Sequence, residues 1–486
     1  MKKMIVISLS LILILTSAVG FAAIDIYKER DKVNYTELTH WGDYSALDRI
    51  KVLNYESLNN RVFWQSETSM GKEMETTSKY KFHYTNKYEE HPIYYDGIRT
   101  DKSLILQSNR NGDVKFLENI YPKGVSYLRN LWEQVKSGEK KTFYVKLKDV
   151  MDFYPFGNAS NLPGYSSFEH SLIFGDSEDF SNEYDFIMRF QEEFKIPVLE
   201  DETVEYTLSR HEDGSEGGIG IGGDNDKFES LPLYTVNEIT ENDIFFAFDA
   251  HTTKGNLVDL SYLEHGYGIY RMPYTESKGA DISKLELFIP LNPENTIYNL
   301  TSDGENLILT YEEAKKTYLD VISIEKAEVV QKIKLSDEKV NWIIVEPQDD
   351  FMVCDMDFNS ISDEWNPKLD KIGVLSKKEN GYEIEFIVER FTPEIQRMRM
   401  WHSSICYAFD GERLVLAGNV REDYLKPDNE IYQTYNSPDF GISVYDKSGP
   451  LFAGKYKSSL TTGFTKENEY EYQVHSFYPG MSVKIE

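Results

Sequence analysis

Four short runs of alternating apolar and polar residues, joined by tight turns, follow one another between Asn295 and Leu335. The pattern predicts one strand that ends at the Asp303-Gly304 turn, followed by strands Asn306 to Tyr311, Tyr318 to Glu325 and Val329 to Leu335. Strict alternation is typical of a half-buried strand, and Asp-Gly is a strong hairpin signal because both residues tolerate a positive φ. The segment therefore predicts a four-stranded antiparallel unit.

This unit recurs along the chain in the same internal order. Turn aspartates followed by apolar strands stand at Asp243, Asp303, Asp349 and Asp410. Their spacings of 60, 46 and 61 residues fit one four-stranded repeat with loop insertions. Between His91 and Pro232 the repeat is degraded, and helices are predicted at Val125 to Lys136 and Tyr184 to Phe194.

The two ends of the chain carry incomplete repeats that complement each other. Strands are predicted at Arg61 to Ser69 and Ser78 to Tyr88, and again around Tyr472 to Val474 and Met481 to Ile485. A sheet built from both termini leaves no open edge on which another chain can pair. Closure of a circular repeat array by its N- and C-terminal strands is therefore expected.

These repeats predict an all-β chain with a single β-propeller of about seven four-stranded blades, six or eight being the alternatives. Stacked β-sandwiches are the rival architecture, and the fixed order of the four-strand units disfavours them. From about residue 62 to residue 486 the tandem units resemble the broad quinoprotein and WD40-like propeller superfamily. The resemblance implies a fold only, because such folds carry many functions.

Residues 1–23 have the composition of a targeting segment. Lys2 and Lys3 precede the apolar run Met4 to Leu15, and small residues follow up to Ala23. Residues 4–23 are also long enough to span a bilayer once, so both a cleaved signal and an uncleaved membrane anchor are open. We expect export, a charged tether over residues 24–60 and the propeller over residues 61–486.

The net charge of the chain limits its possible partners. The formal net charge of -30 repels phosphate backbones, so nucleic acid is not an expected partner.

Cys354 and Cys406 are predicted on strands of neighbouring repeats, where Cα atoms rarely approach closely enough for a disulfide. Two free thiols are expected, with a disulfide as the alternative.

Acidic residues follow several predicted second strands, at the end of a propeller where loops commonly form binding sites. Asp249, His251, Asp355 and Asp357 are the candidate metal ligands of this loop face. Carboxylates with a histidine suit a divalent cation or acid–base chemistry. With 82 acidic residues in the chain, a solvated acidic surface is the competing interpretation.

A glycine-rich stretch from Asp213 to Asp226 offers a second candidate metal site. Asp213, Asp224 and Asp226 are its candidate calcium ligands, and a plain flexible surface loop is the alternative. A phosphate-binding loop is excluded because no Lys-Ser or Lys-Thr follows the glycines.

The sequence contains no nucleophile elbow, zinc-protease or Walker motif. We therefore expect a non-catalytic binding module of the cell envelope that recognises an envelope protein or a glycan, with no cofactor other than possible calcium. The alternative is an extracytoplasmic propeller hydrolase or lyase with a divalent metal at the loop face.

Overall fold

The structure, a computed structural model, describes most of the chain from Lys32 to Glu486. The described residues are 32–58, 62–82, 99–100, 122–154, 156–157, 189–190, 192–222, 229–231, 235–275, 279–358, 370–379, 381–397, 402–420, 423–425, 431–433, 439–459 and 480–486. They divide into two compact units. The first unit is Met1–Ile93 with Asp350–Glu486, and the second is Tyr94–Asp349.

Strands dominate both units. The first unit begins with β1 (Tyr35–Gly42), β2 (Ile50–Leu58), β3 (Val62–Ser69) and β4 (Glu75–Phe82). The second unit contains β5 (Arg99–Thr100), β6 (Lys140–Lys146), β7 (Phe156–Gly157), β8 (Thr203–Arg210), β9 (Glu216–Gly222), β10 (Thr235–Ile239), β11 (Asp243–Phe248), β12 (Gly268–Thr275), β13 (Gly279–Ala280), β14 (Glu286–Pro290), β15 (Thr296–Ser302), β16 (Asn306–Glu313), β17 (Lys316–Ser323), β18 (Glu328–Ser336) and β19 (Trp342–Pro347). The first unit resumes with β20 (Phe351–Asp357), β21 (Lys371–Lys378), β22 (Gly381–Glu389), β23 (His402–Phe409), β24 (Leu414–Val420), β25 (Asp423–Leu425), β26 (Ile431–Gln433), β27 (Phe440–Asp446), β28 (Gly449–Ser458) and β29 (Gly480–Ile485).

Helices are short and few among the described residues. They are α1 (Pro122–Trp132), α2 (Leu147–Val150), α3 (Pro393–Arg397) and the 3-10 helices Tyr44–Leu47 and Ile282–Lys284. The amphipathic pattern correctly predicted α1, whose Leu128, Leu131 and Trp132 are buried. The helix expected over Tyr184 to Phe194 falls largely outside the described residues.

The four-stranded unit predicted between Asn295 and Leu335 is confirmed. Strands β15, β16, β17 and β18 form one antiparallel sheet in sequence order. Gly304 has a φ of 90° at the predicted turn between β15 and β16, a conformation that only glycine adopts without strain. A second sheet of this unit joins β10, β11, β12 and β14, with β13 also paired to β12.

First strands of consecutive sheets lie side by side within the second unit. Strand β15 lies against both β10 and β19. The core under these sheets is rich in aromatic rings, and Phe194 contacts Phe246, Phe248 and Tyr270 at ring-centroid distances from 4.8 to 6.4 Å. Aromatic contacts of this kind add to the burial of apolar surface, so this cluster contributes strongly to stability.

The first unit contains the expected sheet from both termini. Strand β29 pairs with β2, and β3 and β4 extend that sheet in order. A second sheet has the order β1-β28-β27-β24-β23, so a strand from the N-terminal part also covers a sheet from the C-terminal part. Strands β20, β21 and β22 pair antiparallel as consecutive neighbours.

Two expectations about segments differ from the structure. The expected tether over residues 24–60 instead contains β1 and β2, because Tyr35, Ile50 and Val52 are buried in the core of the first unit. The glycine-rich stretch, expected as a loop, forms β9 from Glu216 to Gly222 and pairs with β8. Its glycines obscured the alternation on which strand prediction depends.

Residues 1–31, including the expected targeting segment, lie outside the described residues. Within the part of the chain that the structure describes, no helix is long and apolar enough to cross a membrane.

Both cysteines are free thiols. Cys354 is completely buried in β20, and burial raises the pKa of its thiol to about 12. Such a thiol is unreactive at neutral pH, because the thiolate is the reactive form.

Candidate functional site

The second unit brings Asp249 and His251 together directly after β11. All six residues of β11 are buried, so this strand holds the start of the following loop firmly. The Asp249 Oδ1 atom lies 2.6 Å from His251 Nδ1. Since an ionised carboxylate only accepts hydrogen bonds, Nδ1 carries the proton and donates it to Asp249. The Nε2 atom has no hydrogen-bond partner among the described residues, and the His251 side chain is 15 % exposed.

Burial raises the pKa of Asp249, and the hydrogen bond from His251 and the charge of Lys339 oppose that rise. The Asp249 side chain is 13 % exposed, so water screens it poorly. Because Nδ1 donates to this carboxylate, the acceptor lone pair of the ring lies on Nε2. The pair therefore has the arrangement of an acid–base group that can take up a proton at Nε2.

A tyrosine, a glutamate and a lysine adjoin this pair. Glu312 Oε2 lies 2.9 Å from Lys339 Nζ and 3.1 Å from the Tyr298 hydroxyl. Burial and the Glu312 carboxylate raise the pKa of Tyr298, and the Asp249 charge adds to that rise. Tyr298 therefore remains a neutral donor at physiological pH.

The first unit holds Asp355 near the end of β20, where it forms an ion pair with Arg390, the residue that follows β22. Both side chains are almost completely buried. Burial opposes the charge of Arg390, but the Asp355 carboxylate raises the pKa of Arg390, so the guanidinium stays charged. The pair is further fixed because the Tyr445 hydroxyl donates to the carbonyl oxygen of Arg390 at 3.2 Å.

Two further aspartates lie at the same edge of this sheet. Asp357 ends β20, and Asp370 precedes β21, so the antiparallel pairing brings them to one end. Burial and the hydrogen-bonded neighbour Asp357 raise the pKa of Asp370 to about 7. Asp370 therefore keeps its proton well above the usual range of a carboxyl group, because a second negative charge beside Asp357 is unfavourable.

The predicted metal ligands thus fall into two separate groups. Asp249 and His251 belong to the second unit, whereas Asp355 and Asp357 belong to the first. Among the residues that the structure describes, no group of three or more His, Cys, Asp or Glu side chains has a geometry suited to a metal ion. The proposed four-residue metal site stays a prediction.

The second candidate calcium site is described only in part. The Asp213 Oδ1 atom accepts a hydrogen bond from the backbone N–H of Ser215 at 2.9 Å, which closes a turn before β9. Asp224 and Asp226 lie outside the described residues. Asp213 therefore has a local role in this turn, and calcium binding there remains a prediction.

Sequence analysis identified two residues of each cluster, Asp249 with His251 and Asp355 with Asp357. It missed Arg390, Asp370, Lys339 and Tyr298, although Arg390 directly follows β22, the last strand of its sheet. The position of Arg390 directly after a strand was the one sequence signal that could have identified it. Tyr298 lies within a strand and Lys339 between two strands, and nothing in their local pattern separates them from other polar residues.

Comparison with known proteins gives only distant similarities. No protein-family description matches the sequence, and no curated protein matches it. Similar solved structures include the β-propeller domain of the trilobed protease from Pyrococcus furiosus, with 12% identity, 52% of this chain and 62% of that chain covered, and a TM-score of 0.22. The β-propeller domain of Cps50 (Swd1) from Myceliophteria thermophila shows 7% identity over 52% of this chain and 92% of that chain, with a TM-score of 0.22.

Hydrazine synthase from Kuenenia stuttgartiensis is similar at 11% identity and a TM-score of 0.22. The match covers 52% of this chain and 59% of the hydrazine synthase chain. Identities this low say nothing about activity, and the antiparallel sheets described above define the chain as an all-β protein.

Proposed function

We propose that this protein is an exported β-propeller that serves as a non-catalytic binding module of the cell envelope, tethered to the membrane by residues 4–23. The proposal rests on one observation: acidic side chains of the two clusters already form hydrogen bonds or ion pairs with neighbouring residues. Asp249 forms a hydrogen bond with His251, Glu312 forms an ion pair with Lys339, and Asp355 forms an ion pair with Arg390. Carboxylates already held by such partners are poorly placed to exchange into the coordination shell of a metal ion.

A single propeller of about seven blades is part of this proposal. Support comes from the sheets whose strands follow the sequence order, and from first strands that lie side by side, β15 against β10 and β23 against β29. The N-terminal part of the chain supplies three strands of one such sheet, next to β29 from the C-terminal part. A targeting segment supports export.

Thermal unfolding of the full-length protein in mild detergent, first in calcium and then in chelator, tests the non-catalytic proposal. A ligand present at 100 times its dissociation constant adds about 2.7 kcal/mol, which raises the melting temperature by a few degrees. We expect the two melting curves to coincide. A clear increase in calcium that His251→Ala or Asp355→Ala removes, without loss of folding, would instead support the metal-dependent enzyme.

The geometry of Asp249 and His251 favours an extracytoplasmic hydrolase or lyase as the second candidate function. A buried carboxylate orients the imidazole and leaves Nε2 free to accept a proton from water or substrate. Activity on a panel of ester, glycoside and acidic polysaccharide substrates, with and without divalent metal, tests this candidate. Loss of that activity in His251→Ala but not in His265→Ala would support it, because His265 forms its own carboxylate pair with Glu193 elsewhere in the unit. Inactivity of the unmodified protein throughout the panel would count against it.

A further inference from the structure

The three-stranded sheet β6-β8-β9 of the second unit has one core face and one polar open face. The core face carries Val145, Val204, Tyr206 and Leu208, all buried. Because side chains alternate along a strand, the intervening residues share the opposite face. The register places two full rows across that open face: Thr142, Thr207 and Gly220; Tyr144, Glu205 and Gly222. Lys140 pairs with Ser209 next to them, and the Ser209 hydroxyl accepts a hydrogen bond from the Gly218 N–H at 2.6 Å, where the register of β8 and β9 shifts.

A groove of about 450 Å³ lies on this open face. Its lining residues are Lys140, Glu205, Thr207, Ser209, Gly218, Ile219, Gly220 and Gly222. The volume is within the range of roughly 300 to 1,000 Å³ that is usual for small-ligand sites. Gly218 and Gly222 are four residue steps apart along β9, a distance of about 13 Å. This side of the groove can therefore accommodate several linked rings.

The glycines that form one side of the groove are not required by the packing of the chain itself. A Cβ atom at Gly220 would lie 3.6 Å from Thr207 Cβ, and one at Gly222 would lie 3.5 Å from Glu205 Cβ, which are ordinary contacts. Gly217, on the core side, differs because its Cβ would lie 2.9 Å from the Ser209 carbonyl oxygen. Glycine inside a strand weakens it and often marks the close approach of a ligand.

The chemistry of the other residues identifies the ligand. The Thr142 and Thr207 hydroxyls lie 2.8 Å apart and share one hydrogen bond, which leaves the second hydroxyl proton available to a ligand. Tyr144 is 66 % exposed in the row that contains Glu205, so its ring offers an apolar surface beside a carboxylate acceptor. Lys140 and Glu205 balance each other in charge, although the chain as a whole carries a net charge of -30. A neutral ligand with many hydroxyl groups and flat apolar ring faces complements such a surface.

We propose that the open face of β6-β8-β9 binds a neutral oligosaccharide chain, with Tyr144 contacting a sugar ring and the Thr142–Thr207 pair and Glu205 contacting sugar hydroxyls. This inference rests on the proposed binding function, because it names one ligand class and the surface that recognises it. The loop-face clusters around Asp249 and Asp355 take no part in it.

Isothermal titration of the full-length protein with neutral tetrasaccharides tests the inference. The probes are cellotetraose, maltotetraose and the β-1,4-linked tetramer of N-acetylglucosamine. We expect at least one of them to bind, and Tyr144→Ala to weaken that binding about five- to tenfold, because an aromatic contact of this type is lost. Tyr262→Ala is the matched control, since Tyr262 is another exposed tyrosine of this unit but lies outside the sheet.

A second variant fills the groove without removing any contact of the fold. In Gly220→Thr the new side chain stands on the open face at a position where a Cβ is tolerated, and threonine favours a strand. We expect loss of tetrasaccharide binding with an unchanged or higher melting temperature. This combination separates a blocked groove from an unfolded protein.

Several results would overturn the inference. Binding that persists equally in Tyr144→Ala and Gly220→Thr would place the glycan elsewhere while leaving the binding function intact. Failure of every tetrasaccharide to bind the folded protein would refute the glycan site, whereas the binding function is tested separately by the calcium and substrate measurements. Binding of an extended peptide that depends on β9 but not on Tyr144 would assign the sheet edge to a protein partner instead.

Discussion

Buried ionisable side chains around Arg390 show how individual residues acquire their roles. The Asp355 carboxylate pairs with a guanidinium, whereas Asp370 has another carboxyl group, Asp357, as its hydrogen-bonded neighbour. Removing one partner of a buried ion pair leaves an uncompensated charge, which costs far more than losing an exposed pair. The same residue type is therefore paired with a cation at one position and with a second carboxyl group at the other, and burial raises the pKa of both Asp355 and Asp370.

The raised pKa of Asp370 predicts a pH-dependent effect of Asp370→Asn. The folded protein holds the Asp370 proton up to a pH of about 7, while the unfolded chain releases it near 3.8. Between these values the folded state binds more protons, so this group lowers the free energy of unfolding as the pH rises. We expect Asp370→Asn to match the unmodified protein near pH 4 and to be more stable at pH 8, on the order of 2 kcal/mol.

Urea unfolding of both proteins across this pH range measures the difference. Asp337→Asn is the control, because Asp337 lies on an exposed turn and Lys334 lowers its pKa. An Asp370→Asn variant whose stability differs from that of the unmodified protein equally at pH 4 and pH 8 would contradict the prediction.

The four-stranded sheet β15-β16-β17-β18 shows what local sequence achieves at the scale of an element. Its central strands β16 and β17 are buried over most of their length, and their register follows from the short hairpin that joins them. The hairpin between β16 and β17 has a two-residue loop, Ala314 and Lys315, with φ values of 51° and 66°. Such a turn favours Asn-Gly, so these two residues adopt a conformation that is unfavourable for them.

Replacement of this loop by Ala314→Asn with Lys315→Gly should stabilise the protein by about 1 kcal/mol, because the new residues adopt a positive φ at lower cost. Chemical denaturation at neutral pH measures the change. Gly304→Ala, at a φ of 90° in the preceding turn, should act in the opposite direction by a similar amount. An unchanged or lower stability of the Asn-Gly variant would show that the native loop is not strained.

At the scale of the molecule, the first unit depends on pairing between the two ends of the chain. Strand β29 pairs with β2 from Ile50 to Tyr55. Lys51 adds salt bridges to Glu67 on β3 and to Glu486 after β29. Without β29 the edge of β2 would present unpaired N–H and C=O groups, which readily pair with other chains.

Deletion of residues 480–486 should therefore lower the melting temperature and promote association into oligomers. Light scattering and thermal unfolding measure both effects. Addition of a synthetic peptide of residues 480–486 should reverse them, because it restores the missing strand. Lys484→Ala is the control, since it removes only exposed ion pairs and should change stability by less than about 1 kcal/mol. A truncated protein that stays monomeric and equally stable would show that β29 does not close this sheet in solution.

The sequence by itself determined the all-β class, the strands β15 to β18, their turns and the helix α1, because alternation and turn chemistry act between residues close in the chain. It also anticipated that the termini share a sheet. Only the tertiary structure decided that β1 and β2 replace the expected tether, that the glycine-rich segment Glu216–Gly222 forms a strand, and that Asp355 pairs with Arg390. The burial of β1 and β2 and the Asp355–Arg390 pair depend on partners far away in the sequence, whose free energy of pairing no local pattern contains. Strand β9 depends on backbone pairing with its neighbour β8, which its glycines do not reveal because they carry no apolar side chains.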